Sequence, residues 1–210
     1  MKNIQKIFTL SLFLCLLCNI LFAQADWETD YIRKLEDRRT EGKNSFYNAV
    51  SSSTYFFTVG TPLTYLITGV IIKDKALMKQ ALYITESIGI ATIVTLSTKA
   101  IVKRERPAVA DTTFKAVNND FEYSFPSGHT SAAFSLATSM AIINHKWYVV
   151  VPAFSWATLV GYSRLYLGVH YPTDIIAGAI VGSGSAWLSY KLNKWMHQSK
   201  TTKVRNTPPM

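Results

Sequence analysis

The chain has 210 residues, 49% hydrophobic and 17% charged, with 22 Lys and Arg against 13 Asp and Glu and a formal charge of +9. That apolar content excludes a disordered chain, two cysteines exclude a disulfide scaffold, and the length suits one or two domains. The positive surplus by itself suggests a nucleic-acid or anionic-membrane partner, so its distribution along the chain decides what it means.

Residues 1–25 read as a secretory signal peptide. Lys2 and Lys6 precede an apolar stretch that ends at Phe22, and Ala23-Gln24-Ala25 forms a small-x-small cleavage site. The alternative is a retained first transmembrane helix. Cys15 and Cys18 lie inside this leader, so cleavage leaves no cysteine. An amphipathic N-terminal segment follows at 26–54. Charges of both signs crowd 26–43, and Trp27, Tyr31 and Leu35 recur at helical spacing. This predicts a short amphipathic helix that either lies on the membrane interface or docks on the rest of the fold.

Five apolar segments come next, at 55–72, 81–98, 130–144, 147–163 and 175–190, and Glu86 is the one charge they contain. The first two have the length to cross a bilayer and the others are borderline. Runs without charge leave no polar face for water. Gly178-x-x-x-Gly182, among further small residues, offers a surface for close helix contact in lipid. The expectation is an all-α polytopic membrane bundle of five or six transmembrane helices. Its membrane domain lies at 55–191, followed by a basic cytoplasmic tail at 192–210 that is disordered after Lys200.

Topology follows from charge. With the mature N-terminus outside, 73–80, 144–146 and 191–210 lie inside. They carry Lys73, Lys75, Lys79, Lys146, Lys191, Lys194, Lys200, Lys203 and Arg205 against the single acid Asp74. Trp147, Tyr148, Trp187, Tyr190 and Trp195 cluster near the same ends, as an aromatic belt does. The outside segments balance cations with acids. The surplus is therefore a topology signal, and it argues against nucleic acid as partner. Glu86 falls near the inside third of its span, where it either snorkels or pairs with Lys75 or Lys79.

The chemistry-bearing residues fall on the outside face, in three clusters. Lys99-x6-Arg106-Pro107 places two permanent cations past the end of the second span, suited to phosphate oxygens, with Lys103 and Arg104 reading as interfacial anchors. Pro126-Ser127-Gly128-His129 opens the next helix. There Ser127 can cap, Gly128 admits a close ligand and the free N–H groups attract an anion. Ser163-Arg164-x5-His170-x3-Asp174 sets a carboxylate four residues from an imidazole. The carboxylate would hold one ring nitrogen and leave the other as a nucleophile, the pair straddling a loop–helix junction if Thr173 caps the next helix. Between the first two clusters, residues 108–125 must lie over the site. Phe114, Phe121, Tyr123 and Phe125 are placed to meet lipid and Lys115 a head group.

Three such motifs in this order resemble the type-2 phosphatidic acid phosphatase superfamily, over about residues 55–190. The resemblance implies that Lys99, Arg106 and Arg164 hold the phosphoryl oxygens, with Ser127 and the Gly128 backbone as further donors. His170 would form a phosphohistidine and Asp174 would orient it. His129 would protonate the leaving oxygen and then activate water. It implies no metal and no other cofactor. The expected protein is a multi-pass phosphatase of the bacterial inner membrane, its site facing the periplasm. Its expected substrates are lipid phosphates: undecaprenyl diphosphate, phosphatidic acid or phosphatidylglycerophosphate, or lipid A. The competing readings are a soluble periplasmic acid phosphatase, a vanadate-dependent haloperoxidase and a scaffold without activity.

Overall fold

The computed structural model describes residues 26–118 and 122–205, with side chains described from 27 to 196. The leader at 1–25 with its two cysteines, Phe121, and the last five residues lie outside the described residues. Every regular element among the described residues is helical: α1 (Asp26–Glu36), α2 (Glu41–Ile71), α3 (Lys75–Val102), the single turn α4 (Pro107–Ala110), α5 (Gly128–Asn144), α6 (Trp147–Tyr166) and α7 (Pro172–Arg205).

Local signals set these boundaries. Thr40 caps α2, accepting from the Lys43 N–H at 3.4 Å. Asp74 caps α3, its carboxylate accepting from the Ala76 and Leu77 N–H groups at 2.7 and 3.3 Å. Ser127 caps α5 as its sequence position suggests, and Pro172 occupies the first position of α7, where its missing N–H costs nothing. Two very short connections, at 72–74 and 145–146, fold α2 back on α3 and α5 back on α6 as antiparallel neighbours. Their left-handed residues are Lys73 and His145, with φ of 56° and 47°.

Each of the five apolar segments falls on one of the five long helices, the first running one residue past the end of α2. α2 starts ahead of its apolar run, at Glu41, and α7 continues through Arg205, past the point where the sequence suggests disorder. Two helices, α2 and the one beginning at Lys75, are long and apolar enough to cross a membrane. The shorter α5 and α6, and α7 with its polar C-terminal half, do not meet that measure.

α5 is the central element, packed against α3, α6 and α7, while α2 packs on α3 and α6. The α5–α7 seam is set by the small-residue face. A Cβ on Gly182 would lie 2.2 Å from the Ser131 carbonyl oxygen, and one on Gly178 would lie 2.7 Å from that of Ser127. Small and hydroxylated side chains fill the interior, among them Ala133, Ala137, Ala157, Ser131, Ser135 and Ser139. Large apolar side chains point outward. Tyr55, Phe56, Val59, Leu63, Ile67 and Val70 on α2 are all about half exposed or more. Trp147, Tyr148, Trp187 and Trp195, at the expected belt, are exposed too.

The N-terminal segment departs from its predicted register. α1 docks through Glu28, Ile32 and Leu35, all buried, and leaves Trp27 and Tyr31 exposed. Of the expected stripe only Leu35 faces the protein. Ile32 packs with Phe114 and Tyr171. Arg33 binds Asp111 and Thr113, and Glu36 accepts from the Lys115 N–H at 3.0 Å. Arg39 donates to the carbonyls of Lys115 and of Tyr166. Gly168, at φ 75°, leaves room there, since a Cβ would strike Arg39 and Phe114. For Glu86 the lysine pairing is not seen among the described residues. Its partners are Asn193, donating at 2.6 Å, and Ser189 at 3.3 Å, both on α7, in place of Lys75 or Lys79.

Candidate active site

The antiparallel order brings the C-terminal ends of α3 and α6 and the N-terminal ends of α5 and α7 to one end of the bundle. Lys99 stands in the last turn of α3, Gly128 and His129 open α5, Arg164 lies in the last turn of α6, and Asp174 in the first turn of α7. Lys99, Arg106, Gly128, His129 and His170 line one cavity of about 470 Å³. Arg164, Ser127 and Asp174 lie behind that wall, all buried.

The cations are buried and held. Lys99, Arg106 and Arg164 are 6%, 7% and 2% exposed. Lys99 donates to the Tyr123 carbonyl and lies 3.7 Å from the Glu122 carboxylate. Arg106 donates through Nε to the Glu122 carbonyl at 2.6 Å and through Nη1 to the Val169 carbonyl at 2.7 Å. Arg164 donates to Ser51 Oγ on α2 at 2.7 Å. His129 meets the Tyr55 ring edge to face, with centroids 5.1 Å apart. The oxygen of Ser127 accepts from Thr130 Oγ1 at 2.9 Å, and its N–H donates to the Asp174 carbonyl at 3.0 Å. Ser127 thus ties the start of α5 to the start of α7.

His170 occupies the turn between α6 and α7, and Asp174 follows in the first turn of α7, so the pair straddles a loop–helix junction. Asp174 Oδ2 stands 3.5 Å from His170 Nδ1 and also accepts from the Tyr171 N–H at 2.8 Å and from Ser124 Oγ at 2.5 Å. Ser124 Oγ is 3.3 Å from the same ring nitrogen. The carboxylate facing Nδ1 favours the proton there and leaves the lone pair on Nε2, which lies 3.4 Å from Arg106 Nη1. Burial pushes the His170 imidazole down to about 4. Asp174 pulls it upward, and Arg106 and Arg164 push it further down. The ring is therefore neutral at physiological pH, the state in which an imidazole nitrogen has a lone pair to donate.

Several residues around the site are not singled out by the sequence. Arg104, whose position there reads as an interfacial anchor, is 8% exposed and donates to Asp174 Oδ1 and Thr173 Oγ1, both at 2.7 Å. Its guanidinium stacks 4.0 Å from the Tyr171 ring centroid. Lys103 beside it is exposed, as an anchor would be. Ser124 and Glu28 carry no sequence signal of their place at the site. The loop over the site also differs from expectation. Phe114 and Phe125 are buried in protein, leaving Tyr123 as the exposed aromatic side chain described among those named.

The family model described as PAP2 superfamily matches residues 80–197, more than half of the chain. The chain belongs to the PAP2 superfamily. All three motifs lie inside the matched region, and α1 and α2 lie outside it. Among curated relatives, an undecaprenyl-diphosphatase from Sulfolobus acidocaldarius is 30% identical over 127 residues, 60% of this chain and 61% of the relative. A lipid A 4'-phosphatase from Bacteroides thetaiotaomicron is 41% identical over 68 residues, 32% of this chain and 30% of the relative. The chain thus spans less than two thirds of the length of these curated relatives. A crystal structure of a transmembrane PAP2-type phosphatidylglycerolphosphate phosphatase from Bacillus subtilis shares the fold, with a TM-score of 0.73 at 22% identity over 89% of this chain and 95% of that one. The structure of LpxE from Aquifex aeolicus gives 0.66 at 26% identity over 81% and 98%.

Proposed function

We propose that this PAP2 chain is a membrane-embedded phosphatase that removes phosphate from lipid phosphomonoesters or diphosphates through a phosphohistidine on His170. One observation carries the lipid part of this reading. The cavity holding Lys99, Arg106, His129 and His170 extends between α2 and α3 along Thr58, Ile88 and Leu96. A second cavity of about 440 Å³, lined by Val59, Leu63, Leu66 and Leu82 among others, shares Thr58 and Ile88 with the first. An anion-binding pole opening into an apolar cleft matches a phosphate carried on a hydrocarbon chain.

In this mechanism Lys99, Arg106 and Arg164 neutralise the phosphoryl oxygens, and the N–H groups at the start of α5 add donors. His170 Nε2 attacks phosphorus in line with the leaving oxygen. The P–O bond breaks, and His129 gives that oxygen its proton. Asp174 stabilises the positive charge that develops on the His170 ring. His129 then removes a proton from water, which attacks phosphorus and breaks the P–N bond, releasing inorganic phosphate. None of these steps needs a metal ion.

The positive-inside pattern supports an orientation with the site on the outer, periplasmic side of an inner membrane. The relatives named for undecaprenyl diphosphate, lipid A and phosphatidylglycerophosphate support a substrate from this group. The large apolar side chains exposed along α2 argue against the soluble acid phosphatase reading. The test is phosphate release by the purified protein from a panel of these lipids, with and without chelator and vanadate. Release that survives chelator, is inhibited by vanadate and is lost in His170→Ala supports the reading. Release from small soluble esters alone, together with extraction from membranes by carbonate, would sink it.

A further inference from the structure

α1 lies outside the family match, yet it sends one carboxylate into the catalytic end of the bundle. Glu28 is 1% exposed. Its Oε2 accepts from Arg104 Nη2 at 2.7 Å, and its Oε1 accepts from the Thr173 N–H at 2.9 Å and Thr173 Oγ1 at 2.7 Å. Arg104 Nη1 in turn holds Asp174 Oδ1 at 2.7 Å. A continuous chain therefore runs Glu28, Arg104, Asp174, His170. It links a residue just past the leader to the imidazole that acts as nucleophile in the proposed mechanism.

We propose that Glu28 is a positioning residue for the reaction: acting through Arg104, it fixes the Asp174 carboxylate and leaves that carboxylate's charge available to His170. The physical reason is charge balance in a buried place. An arginine bound to Asp174 alone would draw the carboxylate's negative charge toward itself and away from the ring. With Glu28 on its far side, Arg104 is already neutralised and acts as a rigid fork that orients Asp174. The other charged groups that act on His170 are Arg106 and Arg164, and Lys99, His129 and Glu122 line the same cavity. Glu122 pairs with Lys99 at 3.7 Å and is largely exposed, so among the described residues Asp174 is the carboxylate that faces the His170 ring, and Glu28 protects its charge. Thr173 closes the arrangement, bonded to Glu28 by its N–H and hydroxyl and accepting from Arg104. The start of α7 is therefore clamped to α1 at the turn where His170 and Asp174 must meet.

The role of Glu28 rests on the phosphatase reading, and the test separates the two. The full-length protein in detergent micelles is assayed on phosphatidic acid, and the His170 Nδ1–H resonance is followed by NMR. Glu28→Gln keeps the shape and removes the charge. It is expected to lower kcat about 10- to 100-fold with KM within about twofold, and to move the Nδ1–H resonance upfield as the bond to Asp174 weakens. Glu28→Asp, shorter but charged, should keep more activity than Glu28→Gln. Glu28→Gln combined with Arg104→Gln should recover about tenfold of the single variant's loss, because the unbalanced cation is gone. Wild-type kcat and resonance in Glu28→Gln would overturn the proposal. So would a kcat loss that leaves the resonance unmoved and deepens in the double variant, or a Glu28→Gln protein that does not fold, since each marks a role in the fold alone. If the wild type hydrolyses no lipid phosphate, the phosphatase reading fails, and the resonance still decides the link from Glu28 to His170.

Discussion

The two ends of this helical bundle carry the same kind of charge in opposite circumstances. At the site end Lys99, Arg104, Arg106 and Arg164 are each at most 8% exposed and are bound to carbonyls, hydroxyls and carboxylates. At the other end, roughly 25 Å away along α6, Lys73, Lys146, Lys191 and Lys194 are exposed. There the lysines lie near aromatic rings, Lys146 at 5.7 Å from Tyr148 and Lys191 at 5.2 Å from Trp187. A buried cation must be matched by fixed partners, because desolvation otherwise outweighs what it contributes. An exposed cation at a membrane surface needs only water and lipid head groups. Charge counted by segment therefore reports orientation, whereas charge sorted by burial reports chemistry.

The sharpest way to break this contrast is His170→Ala. It should reduce phosphate release by about 10⁴-fold or more while the protein stays folded, read by single-turnover assay and size exclusion. Next comes Arg164→Lys, which keeps the charge but not the fork. A loss of about 10²- to 10³-fold in kcat is expected, whereas Lys146→Arg at the other end should change nothing. Equal tolerance at both positions would erase the distinction between the ends.

How much of this is legible in the sequence differs along the chain in the same way. The helices are readable because long charge-free runs, capping residues and prolines are local signals, and short turns then dictate antiparallel neighbours. The gathering of the three motifs follows from that order, since each motif adjoins a helix end of the right parity. Arg104 is not separable from Lys103 by sequence, because both are basic residues after the same helix. Only the left-handed turn at Lys103 decides which of them faces inward. The register of α1 is hidden for a related reason. Trp27 and Tyr31 make the better apolar stripe, but the surface that receives α1 is built by Phe114, Tyr171, Thr173 and Arg104, all distant in sequence. Glu28 is tolerable inside only because Arg104 and Thr173 await it there.

Smaller effects test the connection between the ends. Gly182→Val forces a side chain into the Ser131 carbonyl across the α5–α7 seam and should cost about 2–3 kcal/mol of stability, read as a lowered unfolding temperature in detergent. The pH dependence of stability has a defined sign. His170 titrates at 6.5 when unfolded and at about 4 when folded. The unfolded chain therefore binds the extra proton first, and the contribution of neutral His170 is complete above pH 6.5 and is lost as pH falls toward 4. His170→Gln should flatten that part of the stability profile. By the same value, the acid limb of kcat/KM should fall below the usual histidine range, once ionisation of the substrate phosphate is separated. The smallest change expected is that of Lys146→Ala with Lys191→Ala, within about 0.5 kcal/mol in stability and unchanged in kcat.

The bonds that hold Lys99 and Arg106 to the backbone carbonyls of Tyr123, Glu122 and Val169 have a further consequence for turnover. Each N–H already committed to a carbonyl is one that a phosphate must share or displace. Free orthophosphate arrives with no hydrocarbon to add binding, so cations restrained in this way retain it less firmly than unrestrained ones would. In the proposed reaction, the same restraint that keeps the cations in place before substrate arrives works against retention of the inorganic phosphate released.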